Sequence, residues 1–167
     1  MPARKKDTLF FDRPPVVAAW AAAGGKKESE GPLSSQFDFL TQDGGFSAQG
    51  CTDWEQAESL LQQQAAGLCL RKAGVARKDV QLTFAGDLQA QCTASNYTMR
   101  TLGTPFAGVY GACSTMAETL ALAACFAACG LAQQALALTS SHFCAAERQF
   151  RTPLPYGAKR TPTAQWT

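Results

Sequence analysis

One cysteine stands between a predicted strand and a predicted helix. Cys113 lies in the run Gly111-Ala112-Cys113-Ser114-Thr115, between the apolar residues 106–110 and the small-residue run 114–129. At such a strand-to-helix elbow, backbone N–H groups have no helical acceptor and the helix dipole adds positive potential. A thiol there is either an activated nucleophile or one wall of an anion pocket. The elbow alone leaves both roles open.

Two further polar residues follow predicted strands. Asp87 comes after strand 80–85 and Gly86, and His142 follows strand 135–138 through Thr139, Ser140 and Ser141. The carboxyl ends of parallel strands meet at one edge of a sheet, where ligands of α/β proteins bind. We therefore predict Asp87 and His142 beside the cysteine. The alternatives are a turn or cap role for Asp87 and a structural, hydrogen-bonded role for His142.

The elements that must position these residues alternate between strand and helix. The apolar pattern predicts strands at 16–23, 80–85, 106–110 and 135–138 and helices at 93–102 and 145–150. A longer helix begins at a capping box of Thr52 with Glu55 and ends before Gly74. Residues 1–15 are predicted as an irregular tail and 26–51 as a long connection. This order predicts an α/β fold with a mostly parallel sheet and helices on both faces.

Two of the helices differ in their apolar pattern. The longer one has an apolar face and an opposite polar face. The apolar face carries Trp54, Ala57, Leu61, Ala65 and Leu68, and the polar face carries Glu58, Gln62 and Gln63. The helix at 114–129 has hardly any polar face, so we predict a buried helix after the cysteine elbow.

Composition excludes several classes of function. The 167 residues allow one domain with a core, being 46% hydrophobic, and a net charge of +2 gives no support for nucleic-acid binding. Seven cysteines without a C-x-x-C pair, together with a single histidine, indicate neither a disulfide framework nor a metal site. Reduced cysteines in an intracellular protein are the simpler account.

No signal peptide or transmembrane segment is predicted. Asp7, Asp12 and the pair Pro14-Pro15 interrupt the amino-terminal run that could be mistaken for a signal peptide. The apolar run 119–129 is shorter than the roughly 20 residues that span a bilayer.

Several short strings together resemble one family. They are Phe84-Ala85-Gly86-Asp87-Leu88, Arg100-Thr101-Leu102-Gly103, Gly111-Ala112-Cys113-Ser114-Thr115, Thr139-Ser140-Ser141-His142, Gln149-Phe150-Arg151 and Pro162-Thr163-Ala164-Gln165-Trp166-Thr167. In this order, from about residue 12 to the end, the chain resembles the stage V sporulation protein AD family of the thiolase-like superfamily. The resemblance implies a layered α/β/α/β/α fold, of which residues 1–167 form a single amino-terminal half-domain and the carboxyl-terminal half is absent.

The same resemblance implies a binding role without enzymatic activity. The family is expected to bind dipicolinic acid and move it into the developing spore, as a peripheral protein on the spore or forespore membrane. Its implied partners are dipicolinic acid and other stage V sporulation membrane proteins, with a homodimer in the full-length family. No cofactor is implied, and calcium is expected only as a chelate with the ligand.

The expected binding residues combine the elbow with cations. Helix amides and hydroxyls at Cys113, Ser114 and Thr115 suit the carboxylates of dipicolinate, and guanidinium groups at Arg151 and Arg160 suit them as well. Asp87 and His142 complete the predicted site. The alternative is a thiolase-like acyltransferase or ketoacyl synthase with Cys113 as its nucleophile, although one histidine does not supply both a base and an oxyanion hole.

Overall fold

The amino-terminal region holds short strands joined by turns. The structure, a computed structural model, describes residues 3–43 and 46–150, the last four by backbone alone. Strands β1 (Ala3–Lys5) and β2 (Thr8–Phe10) pair antiparallel, so the segment predicted as an irregular tail contains a hairpin. Strand β3 (Ala23–Gly24) pairs parallel with β4 (Phe39–Leu40), and helix α1 (Lys26–Ser29) lies between them.

The predicted first strand is wrong over most of its length. Only the last residue of 16–23, Ala23, belongs to a strand, and Val16 and Trp20 are 86% and 74% exposed. The apolar residues do run in a segment without helix, but the described sheet offers it no neighbouring strand. A strand needs such a neighbour to bond its backbone N–H and C=O groups.

The remaining elements alternate as predicted. In chain order they are α2 (Trp54–Ala73), β5 (Leu82–Gly86), α3 (Thr93–Leu102), β6 (Phe106–Gly108), α4 (Thr115–Ala128), β7 (Ala135–Thr139) and α5 (Phe143–Phe150). Strands β6, β5 and β7 form a parallel sheet with β5 in the centre. The chain is therefore an α/β protein with a parallel sheet, as predicted.

Helices cover both faces of this sheet. Phe84 of β5 meets Phe126 of α4 edge-on, with ring centroids 5.0 Å apart. The next residue, Ala85, points to the opposite face because strand side chains alternate. It packs there in a core with residues of α2 and α3, namely Ala66, Leu70, Met99 and Leu102.

Helix α2 begins one residue later than predicted and buries its polar face. Asp53 is its N-cap, since the Asp53 carboxylate accepts the Gln56 N–H at 2.8 Å, and Gly74 ends it with a φ of 66°. Glu58 and Gln62, on the predicted polar face, are 0% and 1% exposed. This polar face is buried because a network of polar partners meets these side chains.

Helix α4 is not the buried helix that was predicted. Of its residues only Thr115 and Thr119 are buried, whereas Met116 and Leu120 are 58% and 48% exposed. Among the described elements, β5 and β7 pack against one side of α4, and no second layer covers the other side.

An apolar groove separates β7 from the exposed segment 15–21. It encloses about 510 Å³ and has α2 and α4 as its walls. Four consecutive residues of β7, 135–138, line it, so the strand's edge faces the groove. Lys72 of α2 holds the segment and the connection 26–51 in place, donating to the Trp20 carbonyl at 3.0 Å and to the Asp38 carboxylate at 2.5 Å.

Candidate functional site

The cysteine elbow has a strained backbone. Residues Ala112–Ser114 form one 3₁₀ turn directly before α4, and Ala112 has a φ of 48°. A residue with a Cβ rarely adopts this left-handed conformation, and such strain occurs often at functional sites. Cys113, the next residue, is exposed and carries a free thiol. The predicted placement of Cys113 at a helix start is thereby confirmed.

The two hydroxyls of the elbow bond within it. Ser114 Oγ donates to the Gly111 carbonyl at 2.7 Å and also approaches the Glu118 carboxylate. Thr115 Oγ1 accepts the Gly111 N–H at 3.2 Å, and Thr115 is only 1% exposed. Both hydroxyls therefore brace the turn, and its exposed residues are Ala112, Cys113 and Ser114.

Glu118 brings a negative charge to the elbow. Its carboxylate lies in the first turn of α4 and contacts the Ser114 hydroxyl. A Cβ on Gly111 would meet this carboxylate and the Ser114 hydroxyl, so both side chains pack closely against the Gly111 backbone. A carboxylate here offsets the positive end of the helix dipole, so the elbow is less attractive to a free anion than the backbone alone predicts.

Gly86 connects the elbow to the carboxyl end of the central strand. A Cβ at Gly86 would lie 2.5 Å from Thr115 Cγ2 and would also collide with the Val109 carbonyl. On its other side, the Gly86 carbonyl accepts the Ser140 N–H at 3.2 Å. The elbow and the turn after β7 thus meet the same residue of β5.

Asp87 takes the cap role that was the alternative to ligand binding. It is fully buried, and its Oδ2 accepts both the backbone N–H and the hydroxyl of Ser95, at 2.8 and 2.7 Å. Its Oδ1 accepts the Gln89 N–H at 2.9 Å. The carboxylate therefore holds the first turn of α3 and the loop before it.

A second carboxyl group lies beside Asp87 in a buried polar network. Glu58 Oε1 accepts the Ser140 hydroxyl, and Oε2 accepts the Gln89 side-chain amide, both at 2.7 Å. One turn further along α2, Gln62 Nε2 donates to Ser95 Oγ and Ser140 Oγ, both at 2.9 Å. We call Glu58, Gln62, Asp87, Gln89, Ser95 and Ser140 the acid network.

The orientation of the Gln62 amide follows from its neighbours. Ser95 and Ser140 each donate their single hydroxyl proton to a carboxyl group, so toward Gln62 they can only accept. The NH₂ group must face them, and Gln62 Oε1 is left buried without a donor among the residues that the structure describes. The carboxyl groups therefore determine the direction of the hydrogen bonds in the rest of the network.

Burial raises the pKa of the Glu58 carboxyl to about 7. Hydrogen bonds from Ser140, Gln89 and the His142 backbone oppose the rise, whereas the charge of Asp87 adds to it. Among the side chains that the structure describes, no lysine or arginine forms an ion pair with either carboxyl group. Near pH 7 Glu58 therefore exchanges a proton readily.

His142 lies at the rim of the acid network. Its ring stacks on Trp54 of α2, with centroids 5.4 Å apart and planes at 25°. Its backbone N–H bonds to Glu58, four residues after Trp54 on the same helix. Asp87 and His142 thus come together as predicted, but around Glu58 and not around the Cys113 thiol.

The acid network escaped prediction because its signal in the sequence is ambiguous. Glu58 and Gln62 are spaced one turn apart, which equally describes a solvated helix face. The polar residues that follow β5 and β7 supplied the informative signal, since polar strand ends require partners from a facing helix. Arg151 and Arg160, predicted to bind carboxylates, lie outside the described residues.

The arrangement supports only a few chemical roles. An exposed thiol at a helix start suits nucleophilic attack or ligand contact, and the chain's single histidine is stacked on Trp54. In the described part of the chain, no group of three histidine, cysteine or acidic residues is placed to hold a metal ion. Its helices also include none long and apolar enough to cross a membrane.

Fold and elbow together define a parallel α/β protein with an exposed cysteine at the carboxyl edge of its sheet. Residues 5–167 match the family described as Stage V sporulation protein AD (SpoVAD), and the chain belongs to this sporulation protein family. It is 43% identical over 164 residues to the Stage V sporulation protein AD of Bacillus subtilis (strain 168). The match covers 97% of this chain and 47% of the relative, so the chain spans about half the relative's length.

Proposed function

We propose that the protein binds dipicolinate at the cysteine elbow as part of the sporulation machinery that moves this compound into the spore. The observation that carries the proposal is the exposed Cys113 thiol at the strained start of α4, on the edge of the sheet where ligands of α/β proteins bind. Membership of a sporulation protein family supports the biological setting. The thiolase-like fold, the attachment to a spore membrane complex and a homodimer belong to the same proposal.

The elbow favours a ligand whose charge is partly neutralised. Dipicolinate carries two carboxylates, and Glu118 already places a negative charge at the helix start. Two like charges close together repel by roughly 1 kcal/mol or more near a protein surface. We therefore expect the neutral calcium chelate to bind more tightly than free dipicolinate.

Calorimetric titration of the 167-residue chain tests the proposal. Dipicolinate is titrated with and without calcium, and calcium alone serves as the blank. We expect saturable binding that calcium strengthens and that Cys113→Ala weakens. Cys129→Ala is the matched control, because Cys129 is also exposed but lies at the far end of α4. A folded chain that binds neither form would refute dipicolinate binding by this chain.

Glu118→Gln tests whether the charge of Glu118 weakens the binding of free dipicolinate. Removing the carboxylate charge should strengthen binding of free dipicolinate several-fold and should reduce the advantage of the calcium chelate. If the variant left both affinities unchanged, the ligand would lie elsewhere than at the elbow.

The second candidate function is a thiolase-like acyltransferase that uses Cys113. The exposed thiol at the start of α4 favours it, because a helix N-terminus stabilises a thiolate. Incubation with an acyl-CoA followed by mass spectrometry distinguishes the two functions. A thioester on Cys113 that is absent from Cys113→Ala would support the enzyme and contradict a purely binding role.

A further inference from the structure

The acid network contains two carboxyl groups with only neutral donors around them. Glu58 and Asp87 are both fully buried, and among the described residues they accept hydrogen bonds from hydroxyls, a glutamine amide and backbone N–H groups. Neutral donors do not replace the hydration of a second charge in such a cluster. One of the two groups must hold a proton or gain access to water.

The distribution of hydrogen bonds decides which group holds the proton. Asp87 accepts two backbone N–H bonds and the Ser95 hydroxyl. Glu58 accepts side-chain bonds from Ser140 and Gln89 and one backbone N–H bond, from His142. Glu58 is therefore the group whose charge the fold tolerates least.

Among the described residues, the network is closed on three sides. Gln62 of α2, Gln89 in the loop before α3 and Ser95 of α3 are at most 4% exposed. Ser140 and His142, in the turn after β7, are half-buried. A charged Glu58 therefore gains hydration most easily when this turn moves away from α2.

We propose that the protonation state of Glu58 controls the position of the turn 140–142, and we call this contact the latch. Neutral Glu58 holds the turn 140–142 against α2, and loss of its proton to solvent favours a state in which the turn opens. The latch acts on the turn that touches Gly86, and Gly86 in turn contacts Thr115 of the elbow. The inference does not depend on which ligand the elbow takes.

The other ionisable groups near Glu58 determine which control variants the experiment needs. Asp87, directly after β5, acts on Glu58 through its charge. His142, in the turn directly before α5, donates its backbone N–H to Glu58. His142 carries an ionisable ring at this turn, so its contribution has to be separated from that of Glu58.

Hydrogen exchange of the turn amides measures the latch. Exchange in residues 140–146 is followed from pH 5 to 8.5, corrected for the intrinsic rate, with amides of β5 as the reference. The opening equilibrium of the turn should rise by up to about tenfold per pH unit to pH 7 and then level off. Glu58→Gln should remove this dependence, whereas Glu55→Gln, which changes the same charge one turn earlier in α2, should preserve it.

Two results would overturn the latch. One is a corrected exchange rate that does not change with pH in the unsubstituted chain, and the other is an unchanged pH dependence in Glu58→Gln. If Glu58→Gln does not fold, His142→Phe decides, since it keeps an aromatic ring against Trp54 without an ionisable group. A pH dependence that disappears in His142→Phe assigns the effect to the histidine and contradicts the latch.

Discussion

The carboxyl group of Glu58 accepts a hydrogen bond from the hydroxyl of Ser140, 2.7 Å away and 82 residues later in the chain. This bond ties α2 to the turn that follows β7. Gln62 adds a second tie to Ser140, and the Gly86 carbonyl accepts from the Ser140 backbone. The carboxyl edge of the sheet is thus held by buried polar contacts, which makes its stability sensitive to protonation and to single hydroxyl groups.

The free energy of unfolding should fall as the pH rises from about 4.5 to about 7 and level off above. The folded chain retains a proton on Glu58 that the unfolded chain loses, because the pKa of Glu58 rises from 4.5 to about 7 on folding. At about 1.4 kcal/mol per pKa unit, the loss is on the order of 3 kcal/mol. Urea denaturation followed by tryptophan fluorescence at several pH values measures it.

The control for this prediction is Glu58→Gln, whose stability should change much less over the same range. The Lys72 ammonium lowers the pKa of Asp38, and the stability from that pair is lost only as the pH falls below about 4. This loss at low pH therefore does not mask the decrease in stability that we expect from Glu58 between about pH 4.5 and 7. A stability that increased between pH 5 and 7 would show that Glu58 is charged in the folded chain.

Ser95→Ala should destabilise the fold by about 1 to 3 kcal/mol. The substitution removes the hydroxyl that donates to Asp87 and accepts from Gln62, so buried groups on both sides lose a partner. Ser35→Ala, at an exposed position, should change the stability by less than about 0.5 kcal/mol. Equal effects of the two substitutions in urea denaturation would mean that the acid network contributes little.

Gly86→Ala should cost about 2 to 4 kcal/mol, because the added Cβ meets the Val109 carbonyl and the Thr115 methyl group. Gly67→Ala is the matched substitution inside α2, where the nearest atom to the new Cβ is Arg71 Nη1 at 3.5 Å. Alanine has the higher helix propensity, so Gly67→Ala should stabilise the chain by up to about 1 kcal/mol. Thermal denaturation of both variants tests the pair, and a neutral Gly86→Ala would disprove the close approach of β5 and α4.

Alkylation should distinguish the cysteines by burial. Cys113 is exposed, whereas Cys92 is 5% exposed and its thiol donates to the Val109 carbonyl at 3.1 Å. Burial raises the pKa of the Cys92 thiol, and the charge of Asp87 adds to the rise. Iodoacetamide at pH 7.5 should therefore modify Cys113 at least tenfold faster than Cys92, measured by peptide mass spectrometry. Similar rates would contradict the described elbow.

The sequence predicted the central sheet well because its signals are local. Helix α3 was predicted with its observed bounds, 93–102, since Gly103 and Pro105 mark its end clearly. Strands β5 and β7 were each predicted within two residues at either end. Runs of apolar residues between turn residues suffice for such elements.

Burial could not be predicted to the same extent, because it depends on which element lies opposite. Glu58 and Gln62 are polar and buried, Leu120 is apolar and exposed, and Val16 lies outside any strand. In each case the deciding partner is more than 20 residues away or is not among the described elements. The same limit explains the site: Cys113 was predicted from its own neighbours, whereas Glu58 required knowledge of Ser140.

Protection of Cys113 by dipicolinate is the most direct test of the proposed function. The rate of Cys113 alkylation is measured in the 167-residue chain with no ligand, with dipicolinate, and with dipicolinate plus calcium, and exposed Cys129 in the same sample is the internal reference. We predict that dipicolinate slows alkylation of Cys113, more strongly with calcium, and leaves Cys129 unchanged. Equal Cys113 rates at saturating dipicolinate, with and without calcium, would contradict binding at the elbow.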